Sequence, residues 1–151
     1  MAGLKPILLV EDNPKDLELT MAALAKSKLA NEIVVARDGV EALDHIFQGC
    51  ETGTCPAVVL LDIKLPRVDG LEVLAQIKGN PKTRHIPVVM LTSSSEEQDI
   101  LRSYKLGVNA FVVKPVGFQE FFEAIRDLGV FWAILNEPPP SGPNARGSAG
   151  E

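Results

Sequence analysis

The chain of 151 residues has few of the features by which secreted, membrane or nucleic-acid-binding proteins are recognised. Its apolar runs all fall short of the roughly 18–20 residues that cross a bilayer, and its start lacks the charged and apolar regions of a signal peptide. The net charge is −5, and no basic run or basic-aromatic stripe is present to bind nucleic acid. We therefore expect a cytoplasmic protein that binds neither a membrane nor nucleic acid.

Cysteine is also scarce, because the chain has only Cys50 and Cys55. Two cysteines do not complete a structural zinc site, and no second cysteine pair or nearby histidine pair supplies the missing ligands. A small disulfide is the other functional interpretation, but cytosolic thiols are usually reduced. We therefore expect two ordinary, reduced loop cysteines.

What the sequence does have is a fivefold alternation of short apolar runs with segments of helical periodicity. Apolar runs of about four residues bounded by turn residues are typical of buried parallel strands. Strands that alternate with helices form right-handed crossovers and a parallel sheet covered on both faces. The pattern predicts a doubly wound (βα)5 α/β fold of the flavodoxin-like type, with strand order 2-1-3-4-5. The predicted strands are 6–10, 33–36, 57–61, 87–91 and 110–113.

Four of these strands end in residues that can bind phosphate or a divalent cation. Glu11 and Asp12 follow the first strand, Asp62 the third, Thr92 the fourth and Lys114 the fifth. In an open α/β sheet, ligands bind beyond the carboxyl ends of the strands, so these side chains should converge. Clustered carboxylates need a cation, and oxygen ligands select a hard ion such as Mg²⁺. A carboxylate such as Asp62 can also attack phosphorus and form an aspartyl phosphate.

Four short motifs resemble those of a known family. They are Glu-Asp at 11–12, DIKLPRVDG at 62–70, LTS at 91–93 and VKP at 113–115. In this order, each at a strand end, they are similar to the receiver domain of two-component response regulators, over about residues 5–130. The resemblance implies a protein that accepts a phosphoryl group from a sensor histidine kinase in a phosphorelay, and that is not an enzyme.

The resemblance also implies a phosphorylation site with a bound metal. Asp62 would be the phosphoacceptor, and the Mg²⁺ ligands would be Glu11, through water, Asp12, Asp62 and the backbone carbonyl of Lys64. The side chain of Lys64 should face the mouth of the site, where a second cation could change the lifetime of the phosphoryl group. The alternative is a solvated lysine whose backbone alone matters, since exposed charges contribute little.

Three further residues receive roles from the same resemblance. Lys114 would pair with the phosphoryl group, and its bond to Pro115 is expected to be cis, which X-Pro bonds can adopt. Thr92 would bond the phosphoryl group after transfer and form a switch with Phe111. Asp62, Thr92 and Lys114 are thus the expected catalytic set. Two alternatives stay open: Thr92 could only cap a helix, and Phe111 could only fill the core.

The last predicted helix, from Phe118 to about residue 137, is too apolar to be covered by the sheet alone. Its 20 residues would span about 30 Å, so its end should dock on a second copy of the chain, because two-fold homodimers are the commonest oligomers. The expected dimer-interface residues are Phe131, Trp132, Ile134 and Leu135. Residues 131–140 also resemble the ending of the single-domain regulators that accompany phytochrome histidine kinases in cyanobacteria and other bacteria, which implies such a kinase as the phosphoryl donor.

We expect a receiver domain over residues 1–137 and a disordered tail rich in Pro, Gly and Ser over residues 138–151. No output domain fits after residue 137, so a stand-alone receiver would signal through contacts with other proteins. A phosphorylation-independent adaptor is one alternative, although it would not need the acids, the hydroxyl and the amine together. An aspartate-nucleophile phosphatase is another, but it needs a second acid where Lys64 stands.

Overall fold

A computed structural model describes residues 5–26, 31–93 and 110–128. Within these ranges no helix is long and apolar enough to cross a bilayer. The predicted fourth helix after residue 93, the dimer-interface residues and the tail 138–151 lie outside the described residues. The described elements are β1 (Ile7–Val10), α1 (Pro14–Lys26), β2 (Ile33–Ala36), α2 (Gly39–Glu51), β3 (Val58–Asp62), α3 (Gly70–Gly79), β4 (Val88–Thr92), β5 (Phe111–Val113) and α4 (Phe118–Leu128).

The five strands form one parallel sheet in the order β2-β1-β3-β4-β5, which confirms the predicted topology. Strand β1 lies next to β3, and Val10 pairs with Leu61. The next residues of the two strands, Glu11 and Asp62, therefore leave the sheet side by side at its carboxyl edge. Strand β4 pairs with both β3 and β5. The residues at the carboxyl ends of β1, β3, β4 and β5 therefore face one crevice.

Both faces of the sheet are buried, as a parallel sheet with helical crossovers requires. Ile7 and Leu9 of β1 point to a core layer that contains Leu24 of α1 and Phe121 of α4. The alternate residues Leu8 and Val10 point to the opposite layer, which α2 and α3 cover. All five residues of β3 and of β4 are buried. The central strands are thus rigidly placed, and so are the side chains at their ends.

Short polar side chains begin three of the four described helices. The Oδ1 of Asn13 accepts hydrogen bonds from the backbone N–H groups two and three residues on, at 2.9 and 3.0 Å, and Pro14 takes the first helical position of α1. Asp38 caps α2 and Asp69 caps α3 through bonds of 2.8 and 3.0 Å to the N–H group three residues on. These caps fix where the chain turns after β1, β2 and the loop that follows β3.

The expectation of two reduced loop cysteines is wrong, because Cys50 and Cys55 form a disulfide. Helix α2 runs to Glu51, so Cys50 lies in its last turn. The chain then reverses at Gly53, whose φ of +83° suits glycine, and the N–H of residue 54 donates to the carbonyl of Gly49 at 2.6 Å. This reversal returns Cys55 to the end of the helix.

Candidate functional site

Three carboxylates converge at the carboxyl edge of the sheet. One side-chain oxygen each of Glu11, Asp12 and Asp62 lies within 4.8 Å of the others. Glu11 is fully buried and Asp62 is 4% exposed, whereas Asp12 is open to solvent. The strand ends place the two buried groups, because Glu11 follows β1 and Asp62 ends β3. The structure therefore brings together the acids that the sequence predicts.

Lys114 reaches this group from the end of β5. Its Nζ lies 3.1 Å from Asp62 Oδ2, 3.3 Å from Glu11 Oε1 and 2.9 Å from Oδ2 of a further acid, Asp16. The Lys114 side chain is 12% exposed, so these charges interact in a region with little water. Its backbone N–H donates to the carbonyl of Thr92 at 2.7 Å, and its peptide bond to Pro115 is cis, as predicted.

Thr92 is the last residue of β4, and it follows Leu91, which pairs with Asp62 of the neighbouring strand β3. Its side chain is fully buried, and its Oγ1 has no hydrogen-bond partner among the described residues. Burying a hydroxyl without a hydrogen-bond partner costs free energy, so such a group in a native site is a candidate to bind a ligand. Phe111 begins β5, pairs with Met90 and lies half-buried against the core layer of α2 and α3.

The electrostatics of the site follow from burying acids together. The pKa of Glu11 is raised from its ordinary 4.5 to about 7, mainly because the group is buried; the hydrogen bond and charge of Asp62 also raise it, and the charge of Lys114 lowers it. Burial alone would lower the pKa of Lys114, but Asp16, Asp62 and Glu11 together raise it above its ordinary value. Lys114 therefore stays protonated and positively charged. A cation bound beside Glu11 would favour the loss of the Glu11 proton.

The donor set fits a hard divalent cation. The three acidic side chains offer only oxygen, and the Lys64 carbonyl, which is predicted as a further ligand, is oxygen as well. Burial is the largest cause of the raised pKa of Glu11, and the neighbouring Asp62 adds to it. A divalent cation between Glu11, Asp12 and Asp62 would favour the charged forms of these acids.

An opening of about 410 Å³ leads from solvent to these groups. Lys64 is an exposed residue that lines this opening, and its backbone N–H donates to Asp62 Oδ1 at 3.3 Å. That its side chain faces the mouth of the site stays a prediction. Asp16 also lines the opening, although it belongs to none of the four motifs that predict the site. The lining residues are Asp12, Asn13, Pro14, Asp16, Asp62, Lys64, Ser93 and Lys114.

Comparisons with known proteins agree with this site. Residues 7–126 match the sequence profile of the response regulator receiver domain. The response regulator Rcp1 of Synechocystis sp. is 40% identical over 130 residues, which are 85% of this chain and 88% of Rcp1. Its solved Mn²⁺-bound form is 37% identical with a TM-score of 0.65, over 91% of this chain and 99% of that one.

Two other solved structures are similar over most of their length. The bacteriophytochrome response regulator AtBRR is 68% identical with a TM-score of 0.82, and the match covers 90% of this chain and 100% of AtBRR. The phosphorylated cyanobacterial phytochrome response regulator RcpA is 39% identical with a TM-score of 0.68, over 92% of this chain and 100% of RcpA. Both are receiver proteins with the fold described above.

Proposed function

This chain belongs to the response regulator receiver family, and from that premise we propose that Asp62 accepts a phosphoryl group from a phytochrome-type histidine kinase. It is a phytochrome-associated response regulator that acts in phosphorylation-based two-component signalling, so its partner is a histidine kinase. One observation carries the assignment to Asp62. Its carboxylate is buried among two acids and an ammonium group, which is the environment that an aspartyl phosphate and a divalent cation need.

Asp62 has the surroundings of an oxygen nucleophile. Its Oδ1 accepts the N–H of Lys64 at 3.3 Å, and its Oδ2 lies 3.1 Å from Lys114 Nζ. In the proposed reaction a lone pair of the carboxylate attacks the phosphorus of a phosphohistidine. The bond between phosphorus and the imidazole nitrogen breaks, and the imidazole keeps the electron pair. Lys114 stands where it can offset charge on the transferring group, which is the main requirement of phosphoryl transfer.

The cation in this proposal is Mg²⁺, held directly by Asp12, Asp62 and the backbone carbonyl of Lys64 and through water by Glu11. Mn²⁺ is bound in the similar Rcp1, and Mg²⁺ and Mn²⁺ share a preference for oxygen ligands. The bound cation supplies positive charge to the phosphoryl oxygens. The residues themselves hold it, orient the Asp62 carboxylate and keep Lys114 charged.

Thr92 and Phe111 form the proposed switch. The unpartnered Oγ1 of Thr92 is available to bond a phosphoryl oxygen on Asp62. If Thr92 moves toward that oxygen, space changes near Phe111, which lies on the neighbouring strand and is only half-buried. The alternative surface conformation would then be favoured by the phosphorylated state. Output in this proposal passes through contacts with other proteins, not through catalysis.

The proposal includes a homodimer formed by Phe131, Trp132, Ile134 and Leu135, a location in the cytoplasm, and no binding to nucleic acid or membranes. The apolar sequence of residues 130–135 supports the dimer. Sedimentation at tens of micromolar should give the dimer mass, and replacing Trp132 and Leu135 with serine should shift it to the monomer. A wild-type monomer at that concentration would contradict the dimer and leave the phosphorylation proposal intact.

The phosphorylation proposal is tested by intact-protein mass after incubation with acetyl phosphate. Wild type with Mg²⁺ should gain one phosphoryl group, while wild type with chelator and Asp62→Asn with Mg²⁺ should gain none. Asp44→Asn, which replaces an exposed acid on α2, is the matched control and should be labelled like wild type. Labelling of Asp62→Asn would contradict the assignment.

The donor is tested separately with purified kinases. A phytochrome-type histidine kinase should transfer its phosphoryl group to this chain faster than a histidine kinase without a phytochrome sensor. Equal rates would contradict the phytochrome partner but not the role of Asp62. Transfer from neither kinase, with a folded protein that also resists acetyl phosphate, would favour the phosphorylation-independent adaptor.

A further inference from the structure

Among the described residues, Asp16 has the carboxylate oxygen closest to the ammonium group of Lys114. Its Oδ2 lies 2.9 Å from Lys114 Nζ, compared with 3.1 Å for Asp62 and 3.3 Å for Glu11. Asp16 belongs to the first turn of α1, and 98 positions separate it from the lysine in sequence. The contact therefore depends on the fold.

These contacts use the full donor capacity of the lysine. An ammonium group has three N–H donors, and Lys114 faces three carboxylate oxygens at hydrogen-bond distance. A phosphoryl group on Asp62 brings further oxygens that need the same donors. Donors held by Asp16 are then in competition with those that the phosphoryl group needs.

Asp16 differs from the other two partners of Lys114 in its surroundings. Glu11 and Asp62 are buried and belong to the acidic cluster that can hold a metal, and Asp16 is not a member of that cluster. The side chain of Asp16 is 30% exposed and lines the opening through which a phosphoryl group must enter. Asn13 already caps α1, so the cap does not explain the Asp16 contact with Lys114.

We propose that Asp16 is a positioning residue that competes with the phosphoryl group for the Lys114 ammonium and so weakens the hold of the site on that group. The proposal rests on the proposed function, because it needs Asp62 to be the phosphoacceptor. Removing the charge of Asp16 should leave Lys114 in place, since Asp62, Glu11 and the backbone bond to Thr92 still hold it. The freed donor and the lost negative charge should both favour the phosphoryl group.

The expected effect is moderate, because the pair is partly exposed to water. Partly exposed ion pairs change equilibria by a small factor, and we expect Asp16→Asn to bind a phosphoryl analogue about threefold more tightly. Beryllofluoride is the probe, at saturating Mg²⁺ so that metal affinity does not enter, with ¹⁹F NMR to measure the dissociation constant. Glu18→Gln is the matched control, because it removes the same charge from an exposed position of the same helix.

Two results would overturn the proposal. One is an Asp16→Asn dissociation constant equal to or weaker than that of wild type. The other is an equal tightening in Glu18→Gln, which would make the effect one of net charge. The behaviour of wild type separates this proposal from the proposed function. If one of these two results is found and wild type binds beryllofluoride normally, only the role of Asp16 is contradicted. If wild type binds no beryllofluoride at all, the proposed function is contradicted as well.

A double-variant comparison tests whether Asp16 acts through Lys114. In the Lys114→Met background, beryllofluoride binds more weakly, and adding Asp16→Asn should change its affinity no further. A threefold tightening that persists without the lysine would show that Asp16 acts directly on the anion, and would contradict competition for the ammonium.

Discussion

The two edges of the sheet are built from the same strands by opposite means. At the amino edge, backbone groups satisfy each other: the N–H of Ile7 donates to the carbonyl of Glu32, and that of Ala57 to Pro6, both at 2.8 Å. At the carboxyl edge, the same strands end in buried charges, in a hydroxyl without a partner among the described residues and in an acid whose pKa is raised to about 7.

The amino edge of the sheet contributes to stability, whereas the carboxyl edge carries the groups needed for function. Paired neutral groups stabilise the amino edge whether or not a ligand is present. The carboxyl edge places Glu11 and Asp62 where burial disfavours their charged forms, and a cation and a phosphoryl group would relieve that cost. An opening of about 510 Å³ also lies at the amino edge, between α2, β2 and the loop before β3, and none of the predicted site residues lines it. Size alone therefore does not identify the site.

The largest expected effect compares two partly buried lysines. Replacing Lys114 with Met at pH 8 and without metal removes the cation from Glu11 and Asp62 and should lower the free energy of unfolding by about 3–5 kcal/mol. Lys78, in the last turn of α3, lies at the amino edge, where it donates to the carbonyls of Arg84 and Ile86 just before β4. Replacing Lys78 with Met removes this donor and should cost about 1 kcal/mol. Urea unfolding of both variants measures the difference; equal losses would show that the two edges do not differ.

Metal binding should stabilise the carboxyl edge specifically. At a Mg²⁺ concentration about a hundredfold above its dissociation constant, the free energy of unfolding should rise by about 2.7 kcal/mol. Asp12→Asn should lose most of this gain, because it removes a ligand, whereas Glu32→Gln, an exposed acid at the amino edge, should keep it. Thermal unfolding with and without Mg²⁺ is the measurement, and a full Mg²⁺ response in Asp12→Asn would exclude that residue as a ligand.

The disulfide should affect stability alone. It closes a short loop, since Cys50 and Cys55 are five positions apart, and the chain-entropy relation gives about 2 kcal/mol for such a loop. Replacing both cysteines with alanine should lower the free energy of unfolding by up to that amount. The disulfide lies at the amino edge, between the end of α2 and the segment before β3. The same variant should bind Mg²⁺ with wild-type affinity and take up a phosphoryl group at the wild-type rate. A loss of either property would show that the two edges are coupled.

The pH dependence of Mg²⁺ affinity should report Glu11. In the metal-free protein the pKa of Glu11 is about 7. Below that pH a cation must displace the Glu11 proton, whereas above it the carboxylate is already deprotonated. Affinity should therefore rise with pH, by about tenfold between pH 6 and pH 8. Calorimetric titration checks this, and Glu11→Gln should bind more weakly with little pH dependence. A flat wild-type profile would mean that Glu11 is ionised throughout this range without metal.

The sequence predicted the sheet well because buried parallel strands are short apolar runs with few alternatives. The predicted strand order places β1 beside β3, and the pairing of Val10 with Leu61 confirms that adjacency. The positions of Thr92 and Lys114 at strand ends were predictable for the same reason. Geometry at the carboxyl edge depends on strand register more than on the loops that follow.

Two features could not be predicted in the same way. Asp16 stands three residues after the cap Asn13, where an acid normally favours the helix dipole, so the sequence offered a sufficient local explanation and gave no sign of the distant lysine. The disulfide depends on the extension of α2 to Glu51 and on the reversal at Gly53. The contact of Asp16 with Lys114 spans 98 positions, which local spacing does not encode. The disulfide is local, and it was missed because cytosolic thiols are usually reduced.

The most direct test of the central claim is to identify the phosphorylated residue chemically. Borohydride reduces an acyl phosphate to an alcohol, so treating the phosphorylated protein converts the acceptor aspartate to homoserine, which peptide mass spectrometry can locate. We predict homoserine at position 62 only, and only when Mg²⁺ was present during phosphorylation. Homoserine at position 12 or 16, or a product that does not depend on Mg²⁺, would contradict the account of the carboxyl edge as a metal-assisted phosphorylation site centred on Asp62.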